Sequence, residues 1–243
     1  MADPGLERAV QAALEETPVR VRPLDLPDGR RFWLKRVEHL AGRMRLQKGD
    51  PARSFEAERE GIRALQAQGL PVAGLELEGP GWIVLPDAGP VLPQVVADAG
   101  RDEAAKLRAM TAAGAALAVL HRAGMVHGRP AVRDICWDSA QVRFIDLERF
   151  HRARPGGFRQ AMDLMVLAQS SFALWPGDPR WLEAAFAGYR AGGGPQGALV
   201  RAVWLARLLA PLGWLARAVL PLRPRSKELR ALGLVLPWVR RQG

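Results

Sequence analysis

The segment that most constrains the fold runs from Met125 to Phe150 and reads MVHGRPAVRDICWDSAQVRFIDLERF. It predicts a helix end, a loop, and then an apolar strand, Val142–Ile145, that delivers Asp146. His127 and Asp134 lie in the loop a short distance upstream. Two carboxylates brought together in this way suit a divalent cation that holds phosphate groups. The segment therefore predicts a phosphotransfer site or the remnant of one.

The length and composition of the chain limit the number of domains and the kinds of partner. The chain has 243 residues, which is enough for one domain with a sizeable core or for two small lobes that share a cleft. Its hydrophobic content of 49% is that of a folded protein. The formal charge of +10 comes mostly from arginine and favours anionic partners such as phosphates, nucleic acid or an acidic membrane surface. A composition biased towards arginine and alanine would explain the same charge without any partner.

Several protein classes are excluded or disfavoured. Cys136 is the only cysteine, so a disulfide framework or a zinc cluster within one chain is excluded. The N-terminal sequence carries acids and has no apolar stretch typical of a signal peptide. The most apolar region, Leu199–Leu222, is interrupted by arginines at 201, 207 and 217 and falls short of a membrane span of about 20 residues. We therefore expect a cytoplasmic protein that could lie peripherally on the inner face of a membrane.

Periodicity along the chain predicts an α+β protein whose character changes near Pro86–Pro93. The elements predicted before this bridge are a helix at Leu6–Glu16, a hairpin formed by Val19–Leu26 and Arg30–Val37, a loop at Glu38–Asp50, a helix at Ser54–Gln68, and strands at Ala73–Leu77 and Trp82–Leu85. The elements predicted after it are helices at Asp102–Ala123, Arg159–Leu174 and Pro179–Arg190, and a helical tail, Ala198–Arg241, kinked at Pro211 and Pro221. We predict a β-rich N-terminal domain of residues 1–88 and a helical C-terminal domain of residues 89–243.

The order of four charged residues supplies the parts of a nucleotide site. Lys35 lies mid-strand in FWLK, Glu58 lies on the helix that follows, and Asp134 and Asp146 come after the long helix. Phosphoryl transfer needs a cation for the phosphates, an acid that holds this cation, and acids for Mg²⁺. These residues also have interpretations without a nucleotide. Lys35 would be a solvated lysine on an edge strand, Glu58 an acid on a solvated helix face, and Asp146 an acid that caps a turn. His127 would be a structural histidine.

Taken together, these motifs resemble the small bacterial kinases of the protein-kinase-like fold, in particular the lipopolysaccharide core (Kdo/heptose) kinases. The resemblance runs from about Val19 to Leu174. The motifs that carry it are FWLK, ExxxIxxLxxxGLPV, WIVLPDAG, LHRAGMVHG, VRFIDLER and AMDLMVL. It implies a two-lobe α+β fold with a small β-rich N-lobe and a helical C-lobe.

The resemblance also implies roles for individual residues. Lys35 and Glu58 would bind the phosphates of ATP, and Asp134 and Asp146 would bind Mg²⁺ and take part in catalysis. Asp163 would brace the catalytic loop through backbone amides. The expected activity is ATP-dependent phosphate transfer to a sugar of an envelope glycolipid, with nucleotide as a partner and a lipid-linked sugar as the acceptor.

Three departures from that family bear on activity. The turn between the first strands lacks a glycine-rich phosphate loop, so Arg30 and Arg31 would have to supply contacts to phosphate. Arg129 occupies the position of the usual catalytic aspartate, and Asp134 that of the usual metal-binding asparagine. Arginine cannot accept a proton at neutral pH, and losing a positioned base costs roughly 10²–10⁴-fold in rate. Either Asp134 serves both metal and base while Arg129 binds an anionic acceptor, or the protein is a pseudokinase.

The C-terminal tail is basic and rich in tryptophan. From Leu199 onward it carries nine Arg or Lys residues and one acid, Glu228. The tail would either lie on an anionic membrane surface or complete the core of the C-lobe with its arginines directed outward. Arg201, Arg207 and Arg217 do not fall on one helix face, which weakens a simple amphipathic interpretation. Nucleic-acid binding is not expected, because no helix-turn-helix, RNA-recognition or zinc motif is present.

Overall fold

The computed structural model describes residues 3–37, 50–223 and 225–242. The chain divides into two compact units. The N-terminal unit comprises the residues up to Ala88 together with Asp146–Arg149, and the C-terminal unit comprises Gly89–Ile145 and the chain from Phe150 onward. The predicted loop Glu38–Asp50 lies outside the described residues, apart from Asp50.

The N-terminal unit is an antiparallel sheet with two helices. Helix α1 is Pro4–Glu15, capped by Asp3, whose carboxylate accepts from the Gly5 amide at 2.8 Å. The strands are β1, Val21–Asp25; β2, Arg31–Arg36; β3, Leu77–Gly79; and β4, Trp82–Pro86, in the order β1-β2-β4-β3. The predicted hairpin is β1–β2. The apolar face of α1 packs with the sheet into one core of Leu6, Val10, Ala13, Leu24, Leu26, Phe32, Leu34 and Val84.

Helix α2, Pro51–Gln66, begins three residues earlier than predicted. The Asp50 carboxylate caps it by accepting from the Ala52 amide at 3.0 Å, and Pro51 occupies its first turn, where a missing N–H costs nothing. The helix buries Phe55, Glu58, Ile62 and Leu65 on one stripe. An acid thus occupies a position that the helical period assigns to the core.

Of the strand predicted at Ala73–Leu77, only the last residue, Leu77, lies in a strand. The side chain of Gln66 accepts from the Leu75 amide at 2.8 Å, so this backbone group is bonded to a side chain instead of a neighbouring strand. The regular pairing begins at Leu77, which is opposite Val84 of β4. At Leu75 this bond takes the place of a bond to a neighbouring strand.

The C-terminal unit is mainly helical. Its helices are α3, Leu92–Ala97; α4, Glu103–Arg122; α5, Phe158–Leu174; α6, Arg180–Ala191; α7, Gln196–Leu208; α8, Ala210–Val219; and α9, Lys227–Arg240. Two antiparallel pairs lie between α4 and α5 in sequence: β5, Met125–Val126, with β8, His151–Arg152, and β6, Ile135–Trp137, with β7, Val142–Phe144. Single 3₁₀ turns cover Val132–Asp134 and Leu220–Leu222. Helix α3 begins inside the predicted bridge Pro86–Pro93.

Helices α4 and α6 pack backbone against backbone. A Cβ atom on Gly114 would lie 1.7 Å from the Ala185 carbonyl oxygen, and one on Gly188 would lie 1.9 Å from the Thr111 carbonyl oxygen. No side chain fits at either position, so the two glycines set how closely these helices approach. This contact fixes the positions of residues further along both helices.

The tail predicted as one kinked helical region is three helices. Pro211 lies in the first turn of α8 and Pro221 lies in the 3₁₀ turn that follows, so each proline marks a boundary. In the described part of the chain, no single helix has the length and apolarity to cross a membrane. Residues 196–208 and 210–222 reach that length and composition only as a pair bent by 52°.

The predicted fold class is confirmed. The chain is α+β, with an antiparallel sheet in its N-terminal part and helices in its C-terminal part.

Candidate active site

Lys35 lies near the end of β2, opposite Ile83 of β4, and its side chain is only 12% exposed. Neighbouring Leu34 is buried on the opposite face of the strand, as the alternation of side chains predicts. The Lys35 ammonium forms an ion pair with the Glu58 carboxylate. A lysine with so little exposure that is paired with a buried acid is not the solvated edge-strand lysine of the plain interpretation. The predicted contact between Lys35 and Glu58 is present.

Glu58 is buried, and only one of its carboxylate oxygens is satisfied. Oε2 accepts from Lys35, whereas Oε1 is buried and has no hydrogen-bond partner within the described residues. Burial raises the pKa of Glu58, and the opposing effect of Lys35 does not cancel this rise. The negative charges of Asp146 and Glu148 raise the pKa of Glu58 further. The site therefore contains a carboxylate with unused capacity for a cation.

Asp146 brings a second carboxylate to the same lysine. Its Oδ1 lies 3.9 Å from the Lys35 ammonium nitrogen. The Asp146 backbone has a φ of +63°, in the left-handed region that residues with a side chain rarely adopt. Such a conformation costs roughly 1–3 kcal/mol and is typical of functional sites, where the surrounding structure maintains it. The structure thus brings together Lys35, Glu58 and Asp146 as three of the four residues predicted for the site.

Glu148 completes a group that we call the carboxylate cluster: Glu58, Asp146 and Glu148. One carboxylate oxygen from each of the three lies within 4.8 Å of the other two. Glu148 also forms an ion pair with Arg20. Sequence reasoning did not assign a role to Glu148, although the quoted motif VRFIDLER contains it two residues after Asp146.

The cluster suits a hard divalent cation. Carboxylate oxygens are the preferred protein ligands of Mg²⁺, and the unsatisfied Oε1 of Glu58 offers an additional acceptor. When all three carboxylates are ionised they carry three negative charges, whereas Lys35 and Arg20 contribute two positive charges. A cation ligand would therefore balance a local excess of negative charge.

In the C-terminal unit, Asp163 forms the centre of a buried network that we call the Asp163 brace. Its Oδ1 accepts from the Gly128 amide at 3.0 Å, and its Oδ2 accepts from the His127 amide at 2.9 Å. The predicted brace of the catalytic-type loop through backbone amides is confirmed. The His127 Nε2 lies 3.0 Å from the Ile145 carbonyl oxygen, so this histidine is a structural part of the loop.

Two further members of the brace were not predicted. His121 lies with Nε2 3.3 Å from Asp163 and with Nδ1 2.9 Å from the Tyr189 hydroxyl, and both side chains are fully buried. Burial, and to a lesser extent the charge of Asp163, raises the pKa of Tyr189. The quoted motif LHRAGMVHG contains His121, but no pattern in the sequence connects it to Tyr189, which lies 68 residues further along.

Asp134 and Arg129 lie on the loop that this brace holds. Asp134 is buried at the end of the 3₁₀ turn, and its carbonyl oxygen accepts from the Ile145 amide at 3.0 Å. Arg129 is half-buried, and its amide donates to His127 Nδ1 at 3.4 Å. Asp134 belongs to the C-terminal unit, and its sharing of a metal ion with Asp146 remains a prediction.

Comparison with known proteins places the chain in a family. No family model matches the sequence. An uncharacterized protein of Haemophilus influenzae is 31% identical over 164 residues, which cover 68% of this chain and 67% of that protein. The chain belongs to the same family as the Haemophilus protein. Membership in this family carries no stated activity.

Solved structures show a broader likeness. An aminoglycoside phosphotransferase from Alicyclobacillus acidocaldarius is 15% identical with a TM-score of 0.49, and the match covers 93% of this chain and 88% of that one. The macrolide 2′-phosphotransferase MphH from Brachybacterium faecium is 16% identical with a TM-score of 0.49, covering 92% and 91%. The bifunctional kinase-methyltransferase WbdD is 14% identical with a TM-score of 0.41, covering 68% and 40%. Likeness at this level carries no inference about the substrate of this family.

Proposed function

We propose that this protein is an ATP-dependent phosphotransferase of the lipopolysaccharide-kinase type that acts on a sugar of an envelope glycolipid. The observation that carries the proposal is the convergence of Lys35 with Glu58 and Asp146, with Asp146 in a left-handed backbone conformation. A solvated surface lysine would not be paired with a buried acid. The sequence motifs that resemble the kinase group contain the same three residues.

Each residue of the site has a role in this proposal. Lys35 binds the phosphates of the nucleotide, and Glu58 holds the Lys35 ammonium in place. Asp146 and Asp134 hold Mg²⁺, and Glu148 of the carboxylate cluster offers an additional ligand. When bound, Mg²⁺ neutralises charge on the phosphates as it develops during transfer. The Asp163 brace fixes the loop that carries Asp134 and Arg129.

Arg129 determines how the acceptor is handled. Its guanidinium cannot take a proton from a hydroxyl group, so Asp134 accepts this proton in the proposed reaction. Arg129 then binds an anionic group on the acceptor, such as the phosphate of a phosphorylated sugar. In the second candidate function, a catalytically silent pseudokinase, Arg129 marks the loss of the base, and the protein binds nucleotide or a partner without chemistry.

Nucleotide binding is tested by thermal unfolding with ATP, with and without Mg²⁺. A ligand at about 100 times its Kd stabilises a protein by about 2.7 kcal/mol. We expect wild type to be stabilised, Asp146→Asn to lose the Mg²⁺-dependent part, and Lys35→Met to lose most of the shift. Glu56→Gln, on the same helix as Glu58 but with its side chain exposed, is the control and should behave as wild type. Wild type that does not respond to ATP under any condition would contradict the proposal.

Transfer chemistry is tested with radiolabelled ATP and an envelope glycolipid acceptor. Loss of phosphate transfer in Asp134→Asn and Asp146→Asn supports the assigned roles, and transfer that survives Asp146→Asn refutes the metal assignment. Arg129→Asp separates the two candidate functions. It should raise KM for the acceptor if Arg129 binds that acceptor, whereas it should create activity in a protein that lacks only the base. Arg108→Asp, which changes an exposed arginine of α4 in the same unit, is the matched control.

A further inference from the structure

Helix α7 presents an apolar stripe to solvent. Val200, Trp204 and Leu208 follow one another at intervals of four residues, and each is more than half exposed. At 100° per residue these three side chains span about 80° of the helix circumference. The opposite face of α7 is buried and consists of Ala198, Leu199, Ala202, Val203 and Ala206. The helix is therefore apolar on both its inner and its outer face.

Helix α8, which follows α7 directly in the chain, also exposes apolar side chains. Leu212 and Leu215 are about half exposed and Trp214 is 74% exposed, whereas the small residues Gly213 and Ala216 face the interior. Exposing a tryptophan and two leucines to water within one turn is unfavourable, because burying such a side chain stabilises a protein by roughly 1.5–3 kcal/mol. Scattered exposed apolar residues are normal, but a run of this length marks a contact surface.

An aromatic pair extends the same surface onto α5. The rings of Phe158 and Trp204 meet edge to face with centroids 5.6 Å apart, and Phe158 is itself half exposed. The guanidinium carbon of Arg201 lies 5.9 Å from the centre of the Phe158 ring. Arg201 and Arg207 lie at the two edges of the exposed α7 stripe, about 20° beyond Leu208 and Val200 respectively. Sequence reasoning compared the arginines only with one another and did not find this arrangement.

Positive charge surrounds the apolar stripe. The sequence from Leu199 onward contains nine basic residues and one acidic residue, Glu228. A shallow groove of about 330 Å³ is lined by Arg207, Pro237, Arg240 and Arg241. Three arginines around one small groove form a site suited to a phosphate group.

We propose that this outer face of α7 and α8, which we call the tail face, binds the surface of an anionic phospholipid bilayer. Its Trp and Leu side chains enter the boundary between headgroups and acyl chains, and its arginines contact lipid phosphates. This inference does not depend on the proposed catalytic activity, since it uses none of the residues of the candidate active site.

Other occupants fit the tail face less well. A nucleic acid would contact the arginines but would leave Leu212 and Leu215 in water. A second copy in a two-fold contact would oppose each arginine-rich groove with another of the same charge. A bilayer with acidic headgroups satisfies both the apolar stripe and the charge around it.

Flotation of the purified full chain with vesicles tests this inference. We expect binding to vesicles of equal parts phosphatidylglycerol and phosphatidylcholine at about 0.1 M salt, weak binding at about 0.5 M salt, and no binding to phosphatidylcholine alone. The double variant Trp214→Ser/Leu208→Ser should bind at least about tenfold more weakly. Val19→Ser, which changes an exposed apolar side chain of the N-terminal unit, should bind as wild type.

Charge is tested with two triple variants that have the same net charge. Arg207→Gln/Arg240→Gln/Arg241→Gln removes the arginines of the groove and should weaken binding by roughly 100-fold, at about fivefold per charge. The control triple, Arg8→Gln/Arg53→Gln/Arg108→Gln, removes three exposed arginines elsewhere and should keep most of the binding.

Three results would overturn the inference. The first is the absence of flotation with anionic vesicles at low salt. The second is an equal loss of binding in the two triple variants, which would mean that only net charge matters. The third is a lipid-free dimer that the Trp214→Ser/Leu208→Ser variant breaks, without flotation, which would make the tail face an interface between copies of the chain.

Discussion

The Asp163 brace and the carboxylate cluster both bury carboxylates, but they satisfy them differently. Both oxygens of Asp163 accept hydrogen bonds from fixed groups of the C-terminal unit, namely two backbone amides and the side chain of His121. In the cluster, Glu58 accepts from Lys35 with one oxygen, while its second oxygen is buried without a hydrogen-bond partner among the described residues.

This difference separates a structural site from a binding site. A buried polar network whose members are all satisfied rigidifies the elements that it joins. A buried acid with an unsatisfied oxygen and a raised pKa destabilises the protein unless a cation or proton is supplied. We conclude that the brace holds the loop in position and that the cluster is where a charged ligand would gain binding energy.

The largest expected effect is from breaking the brace. Asp163→Ala would leave the buried amide of His127 and the half-buried amide of Gly128 without their acceptor and would remove the partner of His121. We expect a loss of about 3–5 kcal/mol of unfolding free energy, the range seen when one member of a buried ionic network is removed. Urea unfolding followed by tryptophan fluorescence measures it. Asp163→Asn keeps the side-chain volume and one acceptor oxygen and should cost less; an Asn variant as stable as wild type would show that the loss in Asp163→Ala comes from volume and not from hydrogen bonding.

A somewhat smaller effect should follow from separating the helices that carry the brace. Gly114→Ala places a methyl group against the Ala185 carbonyl oxygen of α6, so α4 and α6 must move apart, and with them His121 and Tyr189. We expect a cost of about 1–3 kcal/mol. Gly177→Ala, where no atom lies within 4 Å of the added carbon, is the control and should change stability by less than about 0.5 kcal/mol. Urea unfolding of both variants under the same conditions makes the comparison, and equal stabilities would contradict close helix packing.

The pH dependence of stability should reveal the unsatisfied acid of the cluster. Because the folded-state pKa of Glu58 is raised, the folded protein binds more protons than the unfolded one above pH 4.5, and stability falls as the pH rises through the folded pKa. One group contributes at most about 1.4 kcal/mol per pH unit to this slope. Glu58→Gln should therefore make the decline shallower than in wild type, as measured by urea unfolding from pH 4.5 upward. Glu56→Gln should leave it unchanged, and identical slopes in all three proteins would show that Glu58 does not titrate in this range.

The ion pair at the core of the cluster was predictable, because the motifs around Lys35 and Glu58 and their order along the chain indicated it. The proximity of Glu148 to Glu58 was not, since Asp146 next to it has a left-handed backbone and Glu148 itself pairs with the distant Arg20. Those features arise from tertiary structure and leave no periodic signal in the sequence.

A similar limit applies to the C-terminal unit. The long helices α4, α5 and α6 were predictable from their apolar spacing, and Asp163 from its motif, whereas α3 was not predicted. The contact of His121 with Tyr189 was not predictable, because it depends on two glycines that allow α4 and α6 to approach closely. A glycine in a helical pattern usually signals weaker helix formation, and nothing local shows which neighbour it accommodates.

The smallest expected effect concerns Asp138, a surface acid whose carboxylate accepts several hydrogen bonds, in contrast to Glu58. Burial would raise the pKa of Asp138, but hydrogen bonds from the amides of Gln141 and Ala140 and from Arg143 lower it to about 2. The Asp138 carboxylate thus stabilises the turn between β6 and β7 above pH 3.8, and this contribution is lost as the pH falls through about 2. Asp138→Asn should cost about 0.5–1 kcal/mol at neutral pH. Urea unfolding at neutral pH and at pH 2 checks this, because the gap between variant and wild type should close at the lower pH; a gap that persists would assign the cost to geometry instead of charge.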